Sequence, residues 1–228
     1  MKLRFLGVEF GFGTKMTDGQ QFHSLFRIKA NAISTYLVKR LLQAKIKHDN
    51  LNEIFFRPLQ DKEPAPLSLE EKDLCVDTTI DWKAFESSLT DADKLNSLLC
   101  DFFERGFRRI DPEWALPTEQ FVQWVQDYRD GGCKTEWTQK TRKFRGTRIK
   151  ASLECSVDTE WFQLTLRVED NGELIFDEVI LKTGNEPGEY YYKFKDLSYK
   201  DGVLSVIKRG PEMVDGVLSD VPLYSLNI

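Results

Sequence analysis

Histidine is nearly missing from this chain: among 228 residues there are two, His23 and His48. A nucleophile–base pair built on histidine would have to use one of them, and neither stands in a recognisable catalytic context. His23 falls in an expected strand, and His48 falls at the end of a basic helix, where its charge would suit the helix dipole. Cysteine is also sparse. Cys75, Cys100, Cys133 and Cys155 form no C-x-x-C pair, which excludes a zinc knuckle and a dithiol redox motif and leaves four free thiols as the expectation. No apolar run approaches the roughly 20 residues that span a bilayer, and Glu9 interrupts the start before a signal-peptide core could form. A cytoplasmic protein with no membrane association is expected.

The known short motifs fail in turn. Gly11-Phe12-Gly13-Thr14-Lys15 has the residues of a phosphate loop but the wrong spacing and order, and G-x-G-x-x-G breaks at Met16. No G-x-S-x-G exists, so the hydrolase elbow is absent. Glu70-Glu71-Lys72 supplies the residue types of a metal-dependent nuclease but reads as a solvated run ahead of a strand. No catalytic residue, metal site or cofactor is expected.

What is present is an ordinary globular composition, 41% hydrophobic and 30% charged, with 12% aromatics. Leu3 to Phe12 reads as a strand and Gln21 to Lys29 as a second short one. Ile33, Leu37, Leu41 and Ala44 mark a basic helix, and Ile54 to Leu59 is a short apolar run. Glu63-Pro64-Ala65-Pro66 is a linker. Leu74, Val76, Thr78, Ile80 and Trp82 alternate as a half-buried strand. A helix capped by Thr90 or Asp91 then carries Leu95, Leu98, Leu99, Phe102, Phe103 and Phe107 on one stripe. A further helix opens at Pro117-Thr118, with Phe121, Val122, Val125 and Tyr128 on one face and Trp124 to the side, and stops at Gly131-Gly132.

From Arg145 the period becomes two. Ile149 to Val157 and Phe162 to Val168 alternate, Asp170-Asn171-Gly172 is a hairpin turn, and Leu174 to Leu181, Tyr190 to Phe194 and Val203 to Ile207 extend an antiparallel meander. Val217 to Ile228 adds an edge strand despite Pro222. The fold class is α+β, strands and helices followed by a C-terminal meander. It forms either one domain over 1–228 or two closely packed halves, 1–132 mixed and 133–228 mostly β.

Charge is distributed unevenly. Residues 1–49 hold 9 basic and 3 acidic side chains, residues 50–130 hold 9 and 18, and residues 131–228 hold 14 and 16, within an overall net charge of −5. In the acidic middle, Asp111, Glu113, Trp114, Asp127, Tyr128 and Asp130 flank one short helix. Acids beside large rings suit a docking surface for a basic protein partner, because rings supply buried area while acids steer encounter. Lys134 to Lys150 is the opposite case. It carries Arg142, Lys143, Arg145 and Arg148 with Trp137 and Phe144 interleaved, which would suit a nucleic acid, or else it is a basic loop and strand packed against the protein's own acidic middle.

An α+β chain of this size, with an acidic middle, an extended meander and no usable catalytic set, resembles in general character the immunity proteins of bacterial polymorphic and contact-dependent toxin systems. The resemblance implies a non-enzymatic protein that binds one cognate toxin domain and blocks it. The alternatives are a nucleic-acid-binding or processing component using residues 134–150, and an enzyme whose site assembles from scattered carboxylates.

Overall fold

The computed structural model describes residues 3–8, 20–60, 68–70, 72–210, 212–214, 217–219 and 221–228. The Gly11–Lys15 segment, the 63–66 linker and Glu71 lie outside them. The chain is α+β and divides into two compact units, Met1–Thr135 and Glu136–Ile228. No helix among the described residues is long and apolar enough to cross a membrane.

The first unit carries a four-stranded sheet of β1 (Phe5–Val8), β2 (Glu53–Gln60), β3 (Ser68–Glu70) and β4 (Asp73–Ile80), in the order β1-β2-β4-β3. β1, β2 and β4 run parallel, and β3 is antiparallel at the edge. Parallel neighbours need a crossover between them, and α1 (Gln20–Lys29) and α2 (Asn31–Ala44) provide it between β1 and β2. α1 replaces the strand expected over 21–29. Phe22 and Phe26 sit one helical turn apart and both meet the rings of Trp82 and Phe85, so the apolar spacing is the helical one. α2 buries Ile33, Leu37 and Leu41 as expected, but Ala44 is exposed at its end.

β4 was expected to be half-buried, yet Leu74 to Thr78 are all buried. Its place between β2 and β3 pairs both of its edges, and α4 packs against it. The polar Asp77 survives there because Arg57 lies directly opposite in the register and donates to it at 2.7 Å.

Three helices follow: α3 (Trp82–Ser88), α4 (Ala92–Arg108) and α5 (Thr118–Asp130). Asp81 and Asp91 cap the first two by accepting backbone N–H groups. α4 lies against β4 with Leu95, Leu99, Phe102, Phe103 and Phe107 inward, while Leu98 is only half-buried. It comes so near the sheet that a β-carbon on Gly106 would stand 2.4 Å from the Phe56 ring. Ring packing runs through this core, with Phe26–Phe102 and Phe56–Phe107 at 4.9 Å, Phe107–Phe121 at 5.1 Å and Phe121–Trp124 at 5.3 Å. On α5 the inward positions are Phe121, Trp124, Val125 and Tyr128, so Trp124 and not Val122 belongs to the buried face.

The second unit is antiparallel. β5 (Thr135–Lys143), β6 (Ile149–Val157), β7 (Trp161–Asp170) and β8 (Glu173–Gly184) form a meander in sequence order. β5 is a strand that alternation missed, because it exposes nearly every residue from Glu136 to Lys143 at the sheet edge. β6 and β7 turn Ala151, Leu153, Cys155, Phe162, Leu164 and Leu166 inward. Asn171 and Gly172 between β7 and β8 both have positive φ, as the expected tight hairpin requires.

The segment 190–194 is not the expected strand. α6 (Pro187–Tyr190) and a turn place Tyr190 flat on Phe162, 3.9 Å between centroids and 4° between planes, with Phe194 stacked beside it. A second sheet has the order β13 (Pro222–Asn227), β10 (Val203–Ile207), β9 (Asp196–Lys200), and β11 (Glu212–Val214) pairs β12 (Val217–Ser219). The tail is an edge strand with Pro222 at its first position, where a missing N–H costs least.

Candidate partner-binding surface

The six residues expected to form an acidic docking surface do not converge. Asp111, Glu113 and Trp114 precede α5 while Asp127, Tyr128 and Asp130 end it, and a 13-residue helix holds its ends about 18 Å apart. Several already serve the fold. Asp111 caps the 3-10 turn Pro112–Trp114 by accepting the Glu113 N–H at 3.0 Å. Asp127 binds Arg40 at 3.1 Å and accepts from Gln123, and Asp130 accepts from Gln126. Tyr128 is buried, with its hydroxyl donating to the Cys133 carbonyl at 2.7 Å, so its ring is not an exposed anchor. Trp114 is half-buried and Glu113 exposed.

The histidines are likewise structural neighbours of this region or of the core. Asn50 N–H donates to His48 Nδ1 at 3.2 Å, so the ring proton sits on Nε2 and is donated to the Trp114 carbonyl at 2.8 Å. This replaces the helix-dipole role expected for His48. His23 lies on α1, not in a strand, 5.1 Å from Trp82, and burial lowers its pKa.

Several basic side chains of the segment pair with acids of the second unit itself. Lys140 and Arg142 both reach Asp196, at 3.4 and 3.5 Å, and Arg142 also donates to the Leu197 carbonyl at 2.6 Å. Arg148 pairs Asp170 and Lys150 pairs Glu169. Burial alone would raise the Asp196 carboxyl; the Leu197 N–H, Lys140 and Arg142 bring it below its usual value instead. Lys143 and Arg145 are exposed.

The surface that does gather large rings and charge is elsewhere. Tyr191 and Tyr192, 57% and 63% exposed, meet edge to face at 5.4 Å. The Arg209 guanidinium lies over both, 5.3 Å from one ring centroid and 6.0 Å from the other. Lys193 and Lys195 are exposed on the same turn, and Lys195 N–H bonds the Ile207 carbonyl, which ties that turn to the strand leading to Arg209. Buried Tyr190 on Phe162 anchors the pair from beneath the chain. The sequence signal was three consecutive tyrosines, which no strand or short helix can bury together; Arg209, seventeen residues beyond Tyr192, carried none.

Comparison with the models of known families, with curated proteins and with solved structures finds no match to this chain.

Proposed function

We propose that this chain is a non-enzymatic binding protein of the immunity kind, which docks a protein toxin domain and blocks it. The observation that carries the reading is the exposed Tyr191–Tyr192 pair held under Arg209. Tyrosine and arginine dominate the energetic centres of protein interfaces, and two rings fixed against each other and a guanidinium lose little freedom on binding. Lys193, Lys195 and Arg209 around the rings suit an acidic patch on the partner.

The test is capture from the source cells with the whole chain, with and without nuclease treatment, beside the Tyr191→Ala/Tyr192→Ala variant. One protein retained by the parent and lost by the variant is expected, with affinity reduced by at least about 30-fold. That protein should be toxic when expressed alone and harmless when co-expressed with this chain. Retention of nucleic acid alone would sink the reading. It would favour the alternative, a nucleic-acid-binding component, for which Lys143 and Arg145 at the exposed end of β5 supply the support. In that case oligonucleotide affinity would fall steeply with salt.

A further inference from the structure

β8 is the longest of the described strands, at twelve residues, and it stands at the open edge of its sheet. β7 pairs one side of it, and no strand pairs the other among the described residues. Such an edge presents a row of backbone N–H and C=O groups ready to pair with another strand. Exposed apolar side chains collect there as well. Leu174, Ile175 and Val179 are 46 to 51% exposed, and Trp161 on β7 is exposed too.

The register on β7 fixes which way each side chain points. Leu164 and Leu166 are buried and Arg167 is exposed, so Asp177 and Val179, opposite Arg167 and Thr165, face outward, while Leu181 and Glu178, opposite Leu164 and Leu166, lie on the inner face. Between Leu164 and Thr165 the register shifts, which leaves Ile180 with no residue opposite it. Past that bulge Lys182, opposite Gln163, faces outward again, its ammonium 4.4 Å from the centroid of the Trp161 ring. Asp177 and Lys182 are five residues apart, a separation that puts two side chains on opposite faces of a plain strand. The bulge brings both to one face.

We propose that β8 is a self-association edge, pairing antiparallel with β8 of a second copy of this chain about a two-fold axis between Val179 and Ile180. Residues that face each other in an antiparallel pair must share a face, and this register meets that condition: Asp177 lies opposite Lys182 of the second copy, Glu178 opposite Leu181, and Phe176 opposite Thr183. Symmetry makes each pair twice. Asp177 holds Arg167 through Oδ2 at 3.6 Å, a loose pair that leaves the carboxylate able to take a second cation. The acids also select against other registers. Slides that bring Asp177 against itself, Glu178 against itself, or one against the other set like charges together at the axis, and the opposite slide sets Lys182 against Lys182. The occupant is a second copy because the strand carries its own complement, an aspartate and a lysine equidistant from one axis. Two four-stranded meanders then become one eight-stranded sheet.

The experiment follows sedimentation of the whole chain from about 1 to about 200 µM at low salt, since a single pair of edge strands makes a small, weak interface. A monomer–dimer equilibrium is expected, weakened by added salt. Asp177→Lys and Lys182→Asp each set like charges opposite one another twice and should weaken dimerisation by at least about tenfold; the double variant Asp177→Lys/Lys182→Asp restores opposite charges and should recover most of the loss. Both positions are exposed, so the variants should melt near the parent's temperature. In the unsubstituted chain, amide exchange over residues 173–184 should slow at the high concentration while exchange in α4 stays the same. The proposal is overturned by a chain that is monomeric throughout, whether or not a strand of another protein takes the edge. It is equally overturned by a dimer whose β8 amides exchange as fast as the monomer's, or by a double variant that associates no more tightly than the single ones.

Discussion

The two units differ in how far aromatic rings fill them. In the first, phenylalanine rings from α1, β2, α4 and α5 meet one another at 4.9 to 5.3 Å, all of them out of contact with water. In the second the buried face is smaller, and ion pairs occur in both: Arg40–Asp127, Arg57–Asp77 and Arg129–Asp101 in the first, Asp196 with Lys140 and Arg142, Asp170 with Arg148 and Glu169 with Lys150 in the second. Ring packing is indifferent to pH and salt. Exposed ion pairs contribute little each and are screened. The first unit is therefore set apart by its aromatic core, and the second by the large rings it leaves exposed, Tyr191 and Tyr192.

The comparison breaks first in the aromatic core. Phe102→Ala, in contact with Phe26, Phe56 and Phe103, should cost about 3–5 kcal/mol and unfold the first unit in denaturant titration; a loss under about 1 kcal/mol would mean the core is not the continuous packing described. Gly106→Ala comes next. Alanine favours a helix by about 1 kcal/mol over glycine, but the added carbon meets Phe56 at 2.4 Å, and overpacking costs about 1–3 kcal/mol. Because the Phe56 ring is fully buried among those of Phe102, Phe103 and Phe107, net destabilisation is expected, read as a lowered melting temperature.

Acid titration sharpens the contrast in the second unit. The Asp196 carboxyl is held below its usual value in the fold, so the stability it contributes is present above the ordinary carboxyl range and is lost as pH falls through that lowered value. Amide exchange along β5 and β9 should rise there ahead of exchange in α4. Asp196→Asn should remove this early phase, at a cost under about 1 kcal/mol near neutrality given its exposure. Smallest of all is the expected effect of Tyr192→Ala on folding, within about 0.5 kcal/mol by thermal melt, because the ring is 63% exposed. Substantial unfolding would reassign the pair from docking to structure.

Much of the architecture could be read in advance, for identifiable reasons. The α4 stripe repeats every three or four residues and the β6–β7 strands every two, and both patterns face a single core, so periodicity and burial agree. It misled where tertiary position decided. α1 is a ten-residue element whose rings fit either period until Trp82 and Phe85 are in place to receive them. β5 shows no alternation because it is an edge strand with little to bury. The candidate site was less legible. Acids near rings were visible along the chain, but whether a ring is anchor or core depends on what covers it, and Tyr128 is covered while Tyr191 and Tyr192 are not.

By itself the sequence determined the α+β order of elements, the α4 and α5 helices, the hairpin at Asn171-Gly172 and the asymmetry of charge, since each depends on neighbours within a few residues. Only the tertiary structure decided that Lys140 and Arg142 meet Asp196, that Arg148 meets Asp170 and Lys150 meets Glu169, and that Arg209 lies over Tyr191 and Tyr192. Those pairings join residues from 17 to 56 positions apart, and no local propensity encodes them; they exist because sheet register and helix packing bring distant side chains to one place.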